Sequence, residues 1–280
     1  MRVSVSVSRL NSHASLTCKA IAKGISRCGD HVDVRPDINH KVDDYDAVVL
    51  WGYTEPCQKI IENCKRIGIP WLFMDMGYWR REKNYFKVAV NDRHPTRYLM
   101  SYSMPDDRLR KLKVSVKPWK PNPDGIILVA GMSHKASWSW GFDHEEYERN
   151  TIKKIFELYP DIPIVYRPKP NWSGSKVIPN SRFDRRTPLH KMWPIVRCVV
   201  SHHSNVCCDA LIEGIPAFAK YGAASVFKEY DLTKILDDAE PPQRYQWAAN
   251  LAYAQWNIEE MRSGLCWDFF KQMDFYRDWL

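Results

Sequence analysis

The densest run of chemistry-bearing residues lies between Arg186 and Ser225. It contains Thr187-Pro188-Leu189-His190, then Ser201-His202-His203-Ser204-Asn205, then Asp209-Ala210-Leu211-Ile212-Glu213-Gly214-Ile215-Pro216. An apolar strand ends at Ser201, small polar residues fill the turn at Ser204 and Asn205, and a helix begins. The first N–H groups of a helix lack partners within it and carry partial positive charge, so a diphosphate fits at such a turn. Asp209 falls one turn into the helix, where a carboxylate can accept hydrogen bonds from ribose hydroxyls. His202 and His203 would alternate faces on extended backbone, and no third metal ligand is evident. One buried and one beside the bound anion is therefore the better reading of that pair.

The elements that must position these residues alternate in type. Val3–Ser8, His31–Val34, Tyr45–Gly52 and Pro70–Asp75 read as strands, with helices at Ser12–Cys28 and Glu55–Ile67, stopped by Gly29 and Gly68. After a charged, Pro-containing middle from Ser101 to Pro123, the pattern restarts. Gly125–Ala130, Ile162–Arg167, Cys198–Ser201 and Pro216–Lys220 are strands, and Glu145–Leu158, Pro188–Ile195 and Asn205–Glu213 are helices. Such alternation predicts parallel sheets with helices on both faces. The break is expected near Lys117-Pro118-Trp119-Lys120-Pro121-Asn122-Pro123, giving domains 1–118 and 119–241 and a helical tail 242–280.

Bulk properties narrow the classes. A chain of 280 residues with 45% hydrophobic and 26% charged residues suits two soluble domains. No apolar run is long enough for a membrane-spanning helix, and the start alternates like a strand rather than forming the core of a signal peptide. The eight cysteines show neither CxxC nor zinc spacing, so reduced thiols in a cytoplasmic setting are expected. The formal charge is +8. Residues 77–120 hold twelve basic and four acidic side chains, the whole of that excess. This is either a solvated face or a surface for a polyanion such as nucleic acid.

The 186–216 segment resembles the donor-binding motif of GT-B glycosyltransferases, in particular the capsule-polysaccharide and Kdo-transferase-like branch. There a "PLH" helix, a strand, a Ser/Thr turn and "EALxxGxP" follow in order; here Asp209 stands where Glu is usual. Tyr166-Arg167-Pro168-Lys169-Pro170 resembles the family's "RPHP" strand end, with Lys169 in place of His. Phe73-Met74-Asp75-Met76-Gly77-Tyr78 resembles the acidic strand end of the acceptor domain, and small phage enzymes of this type are similar in the tail. The resemblance implies two Rossmann-like domains with parallel sheets facing a central cleft, the C-terminal helices packing back toward the N-terminal domain.

It further implies transfer of a sugar from a nucleoside-diphosphate sugar, UDP-glucose or similar, to a hydroxyl, with no cofactor or metal required. Ser133, Lys135, Arg167, Lys169, His203, Ser204, Asn205 and Asp209 would hold the donor. Asp75 is the first choice of base and His94 the second. The basic segment beside Asp75 makes double-stranded DNA bearing a 5-hydroxymethyl pyrimidine the first acceptor expected, with Arg80, Arg81, Lys83, Arg93 and Arg97 on its phosphates. A capsule or lipopolysaccharide-type glycan is the second. A non-catalytic nucleotide- or DNA-binding protein and a nucleotide-sugar epimerase are the other classes. A monomer or dimer fits equally. Asp75 as a loop cap, His94 and His134 as surface residues, and Trp138 and Trp140 as packing are the plain alternatives, packing being preferred for the tryptophans.

Overall fold

The computed structural model describes residues 1–7, 12–36, 41–170 and 172–273. Ser8 and residues 274–280, assigned above to a strand end and to the helical tail, lie outside the described residues. The chain forms two compact units, Met1–Pro95 with the chain from Tyr253 onward, and Thr96–Ala252.

The first unit begins β1 (Arg2–Val7), α1 (Ser12–Arg27), β2 (His31–Pro36), β3 (Ala47–Trp51), α2 (Glu55–Ile67), β4 (Trp71–Met76) and β5 (Tyr85–Val90). Local chemistry sets α2. Thr54 caps its start by accepting the Cys57 N–H, Pro56 sits in the first turn, and Gly68 ends it in the left-handed region. Cys57, Ile60, Ile61 and Cys64 then form its buried face at helical spacing. Strands β1 to β4 pair in parallel. The expectation of a wholly parallel sheet needs correcting at its end, since β5 runs antiparallel to β4. The link between them is only residues 77–84, too short for a parallel crossover. Gly77 makes that return possible, because a Cβ there would lie 2.5 Å from the Tyr85 carbonyl oxygen.

The second unit holds α3 (Asp107–Lys111), β6 (Ile126–Ala130), α4 (His134–Ser139), α5 (Glu146–Leu158), β7 (Ile164–Arg167), β8 (Arg182–Phe183), α6 (Leu189–Met192), β9 (Val196–Ser201), α7 (Asn205–Glu213), β10 (Ala217–Ala219) and α8 (Arg244–Ala252). Its five strands are all parallel, in the order β10-β9-β6-β7-β8. Ile127, Val129, Ile152, Ile155, Tyr166, Val200 and Phe218 pack between sheet and helices as its core.

The boundary falls at 95/96 rather than 118/119. Residues 96–118 are tied into the second unit by hydrogen bonds. Asn250 on α8 donates to the Leu99 and Tyr102 carbonyls and accepts the Met104 N–H. The expected linker is also anchored there: Lys117 N–H bonds to the Ile212 carbonyl and Lys120 N–H to that of Gly214. Gly214, at φ 83°, could not carry a side chain, because a Cβ would sit 2.1 Å from the Pro118 carbonyl oxygen.

The chain returns to the first unit as β11 (Gln255–Asn257), α9 (Ile258–Ser263) and α10 (Leu265–Gln272), so the tail is not helical throughout. β11 extends the sheet antiparallel to β5. Asn257 and Glu260 form a reciprocal cap that starts α9. Asp30 anchors α10, accepting from Trp267 Nε1 at 2.6 Å, Lys271 at 2.9 Å and the Met1 amine at 2.7 Å.

Two stability outcomes follow from these contacts. Gly214→Ala should lower stability by about 2 kcal/mol or more, read as a fall in thermal midpoint, because strain and collision act together. Burial alone would raise the Asp30 carboxyl, but its three donors overrule it and hold it down at about 2, against 3.8 for the free group. The charged form thus stabilises the native state above pH 4, and that contribution of about 2 kcal/mol is lost as pH falls toward 2. Denaturant titrations of wild type and Asp30→Asn between those pH values should show a flatter dependence in the variant.

Candidate functional site

In the second unit, sheet register brings the sequence motifs together. Ala130 on β6 lies opposite Arg167 on β7 and Ser201 on β9, and Ser201 lies opposite Ala219 on β10. Four parallel strands therefore end in line, and their following loops open along one edge. That edge collects Ser133 and Lys135 after β6, Lys169 after β7, His203, Ser204 and Asn205 after β9, and Lys220 and Tyr221 after β10. Lys135, Lys169 and Lys220 are exposed, while His203, Ser204, Asn205 and Asp209 are half-buried.

The turn into α7 differs in one respect from the sequence reading. Its N–H groups are largely used within the turn. Ser204 N–H bonds to Ser201 Oγ at 3.1 Å, Val206 N–H to Ser204 Oγ at 3.3 Å, and Cys207 N–H to the Ser204 carbonyl at 3.1 Å. The helix end stays partly open to solvent, but the backbone cradle expected at Ser204–Cys207 is mostly satisfied. An anion there must rely on side chains and on the helix dipole. Ser133 is similarly engaged as the cap of α4, accepting the Ala136 N–H at 3.2 Å.

Arg167 is a brace. One of its guanidinium nitrogens donates to the Thr187 carbonyl at 2.7 Å and meets Met192 Sδ, fixing the Thr187-Pro188-Leu189-His190 turn against the end of β7. Asp184 holds the same turn, accepting from Arg186 and Thr187 N–H. Burial raises its carboxyl, but the Thr187 and Arg186 N–H bonds and the Arg167 charge win and lower it.

Sequence reasoning missed several members of this edge. Lys220 and Tyr221 follow a strand of three residues, a weak signal. Tyr221 stacks on Trp140 with ring centroids 4.7 Å apart, so Trp140 packs, while Trp138 stands half exposed. Glu148, buried on α5, accepts the Met132 N–H at 2.6 Å and sets the loop after β6. Burial pushes its carboxyl up. Tyr147 beside it hydrogen-bonds Tyr230 at 2.5 Å.

In the first unit, Asp75 near the end of β4 and Gly52-Tyr53 just after β3 lie at the same edge of two adjacent parallel strands. Asp75 is half-buried, accepts the Met76 N–H, and pairs across the sheet with buried Lys87. The Tyr53 ring packs on Phe73, with the Lys87 ammonium 5.8 Å and the Arg93 guanidinium 5.2 Å from its centroid. Burial and the Asp75 charge push the Tyr53 phenol far up, keeping it a neutral donor. His94 is no surface residue: it is 3% exposed, with Nδ1 3.0 Å from Tyr78 Oη. That loop is held by Gln255 Oε1, which accepts from Tyr78 and Trp79 N–H.

The basic residues assigned to phosphate contacts are dispersed. Arg81 donates to the Gly77 and Tyr78 carbonyls, Arg93 to Gln58, and Arg80 pairs with Glu82. Arg108, part of the same charge excess, is buried and bonds the Ala252 carbonyl. Lys83 in the first unit and Arg97 in the second are exposed. None of the eight cysteines forms a disulfide. Among the described residues no group of three or more His, Cys, Asp or Glu is placed to hold a metal ion, and no helix is long and apolar enough to cross a membrane.

No protein-family model matches the chain, and no curated protein matches it. Among solved structures it is similar to the Thermosulfurimonas dismutans KpsC beta Kdo 2,4 transferase, with a TM-score of 0.56 and 14% identity over 90% of each chain. It is also similar to the KpsC beta Kdo 2,7 transferase of that organism, at 0.55 and 15%, covering 94% of this chain and 98% of the other. At such identities the likeness is one of fold, and that fold is GT-B, two Rossmann-like units of mixed α/β structure.

Proposed function

We propose that the chain is a glycosyltransferase that moves a sugar from a nucleotide-activated donor to a hydroxyl of a saccharide acceptor. The observation that carries this reading is the common edge of β6, β7, β9 and β10. It lines up three lysines, a histidine, two serine hydroxyls and a carboxylate along one sheet edge. Cleaving the bond between sugar and phosphate leaves negative charge on the departing phosphate. Lys135, Lys169, Lys220 and His203, with the α7 dipole, would stabilise that charge as it develops. Asp209 would take the ribose hydroxyls, and a nucleoside-diphosphate sugar, UDP-linked first, is the donor to test.

The acceptor hydroxyl must lose a proton, and Asp75 is the base in this reading. A half-exposed carboxylate at a strand end, opposite Lys87, is reachable by an acceptor hydroxyl. His94 suits the role less, being buried against Tyr78. It serves better as a support for the loop that follows Asp75.

A saccharide acceptor now ranks above DNA. Arg81 and Arg93 spend their guanidinium groups on internal acceptors, and Lys83 and Arg97 belong to separate units. Few of the expected cations remain for a duplex backbone. The Kdo transferases of similar fold put sugar transfer first among activities to test.

Incubation with a panel of nucleotide sugars and saccharide acceptors, followed by mass spectrometry, should reveal added sugar mass. Asp75→Ala should reduce that transfer by at least about 100-fold while nucleotide binding persists; full activity would remove Asp75 from the reaction. A gel shift with plain duplex DNA should show no binding that weakens with salt. Binding that falls steeply between about 50 and 200 mM salt would return DNA to first place.

A further inference from the structure

On the β9 edge the two adjacent histidines occupy opposite environments. His202 is 1% exposed and ringed by Trp140, Phe142, Tyr147 and Tyr221 at centroid distances of 4.9, 5.4, 5.0 and 5.1 Å. His203 is half-buried on the side where the loops open. Their Nδ1 atoms are 2.8 Å apart. Two ring nitrogens at that distance need one proton between them, so one ring donates and the other accepts. Burial, and then the charge of Lys220, pushes His202 down to about 4, so it is neutral at pH 7. His203 is the more open ring of the pair, the one an anion or a solvent proton can reach.

We propose that His202 and His203 act as one phosphate-binding unit, in which neutral His202 accepts the Nδ1–H of a His203 that takes up a proton when phosphate binds. This rests on the donor edge described under the proposed function. No covalent bond changes: one solvent proton is gained as the anion arrives and released as it leaves. His202 is a positioning residue. It fixes the His203 ring and supplies the acceptor that makes the imidazolium tolerable. The charged and titratable groups that face His202 are Lys220 and Tyr221 after β10, and Tyr147 backed by Tyr230. The Lys220 charge holds protons off His202, and an arriving phosphate draws one to His203. The device explains how an edge whose helix N–H groups are mostly satisfied can still gain positive charge at the moment of binding.

Nitrogen-15 NMR of the histidine rings, with and without inorganic pyrophosphate, tests the pair between about pH 5.5 and 8.5, the span over which an ordinary histidine titrates. His202 should stay neutral throughout. The His203 midpoint should rise by about one pH unit when pyrophosphate is added. His202→Phe keeps the aromatic packing and removes Nδ1; it should abolish that rise and weaken pyrophosphate binding about tenfold at pH 6, with no loss of near-ultraviolet circular dichroism. His203→Gln should make binding insensitive to pH in the same range. Titration of His202 with the solvent-exposed histidines, or a His203 midpoint unmoved by pyrophosphate, would overturn the proposal using wild-type protein alone. Sugar transfer that persists with an unmoved midpoint removes only the role of the pair. A moved midpoint without transfer to any saccharide keeps the phosphate unit and removes the transferase reading.

Discussion

The in-register parallel pairing of β6, β7, β9 and β10 is the constraint on which the second unit's chemistry depends. Parallel strands with aligned ends deliver their next loops to the same edge, whatever the sequence distance between them. Residues 133, 169, 203 and 220 become neighbours along an edge only because Ala130, Arg167, Ser201 and Ala219 line up. A slip of one residue in β9 would turn Ser201 and every side chain of that strand to the other face. Ser201 adds a local lock: its hydroxyl accepts the Ser204 N–H and lies 3.1 Å from the Cys207 thiol, fixing strand end, turn and helix start together. Glu148 and Arg167 do the same from the flanks, each binding a backbone group of a loop rather than facing the opening.

The first unit reaches a similar edge by another closure. Its sheet ends with β5 antiparallel to β4 and β11 antiparallel to β5, and the hairpin between β4 and β5 carries Gly77, Tyr78 and Trp79 past the sheet end. Gln255, contributed by the returning tail, accepts from two consecutive N–H groups there. The tail thus shapes the loop behind Asp75 and does more than cover the sheet. Asp30 secures it, since Trp267 and Lys271 on α10 both donate to its Oδ2.

What was legible in the sequence had local causes. α2 and α7 begin and end at the expected residues because Thr54 and Ser204 cap them and Gly68 and Gly214 stop them. The motif residues 133, 135, 167, 169, 203, 204, 205 and 209 do gather around one edge and its flank, since strand alternation and the Gly-x-Pro stop fix the wound topology. The rest depends on distant partners. Tyr85–Val90 lies inside the charge-rich stretch, and only its pairing with β4 and β11 identifies it as a central strand. The 117–120 segment looks like a linker from its prolines, yet its N–H groups find carbonyls at the end of α7. The basic excess was visible as a count, but a count does not say that Arg81, Arg93 and Arg108 would turn inward to backbone and side-chain acceptors.

Magnitudes decide what could hold an anion on the second unit's edge. The α7 dipole acts as about half a positive charge and contributes about 0.3–1 kcal/mol at an exposed helix start. With Ser204, Val206 and Cys207 N–H groups engaged in the turn, little more is available from the backbone. A full side-chain charge about 4 Å from a phosphate oxygen near a protein surface is worth about 4 kcal/mol before desolvation. Cationic side chains such as Lys135, Lys169 and Lys220 therefore outweigh the backbone along this edge. Asp209 on α7 lies within electrostatic reach of Cys207; burial, and the Asp209 charge with it, pushes that thiol up to about 12. A thiol in that state stays protonated at neutral pH, so Cys207 adds no second negative charge beside the Asp209 carboxylate.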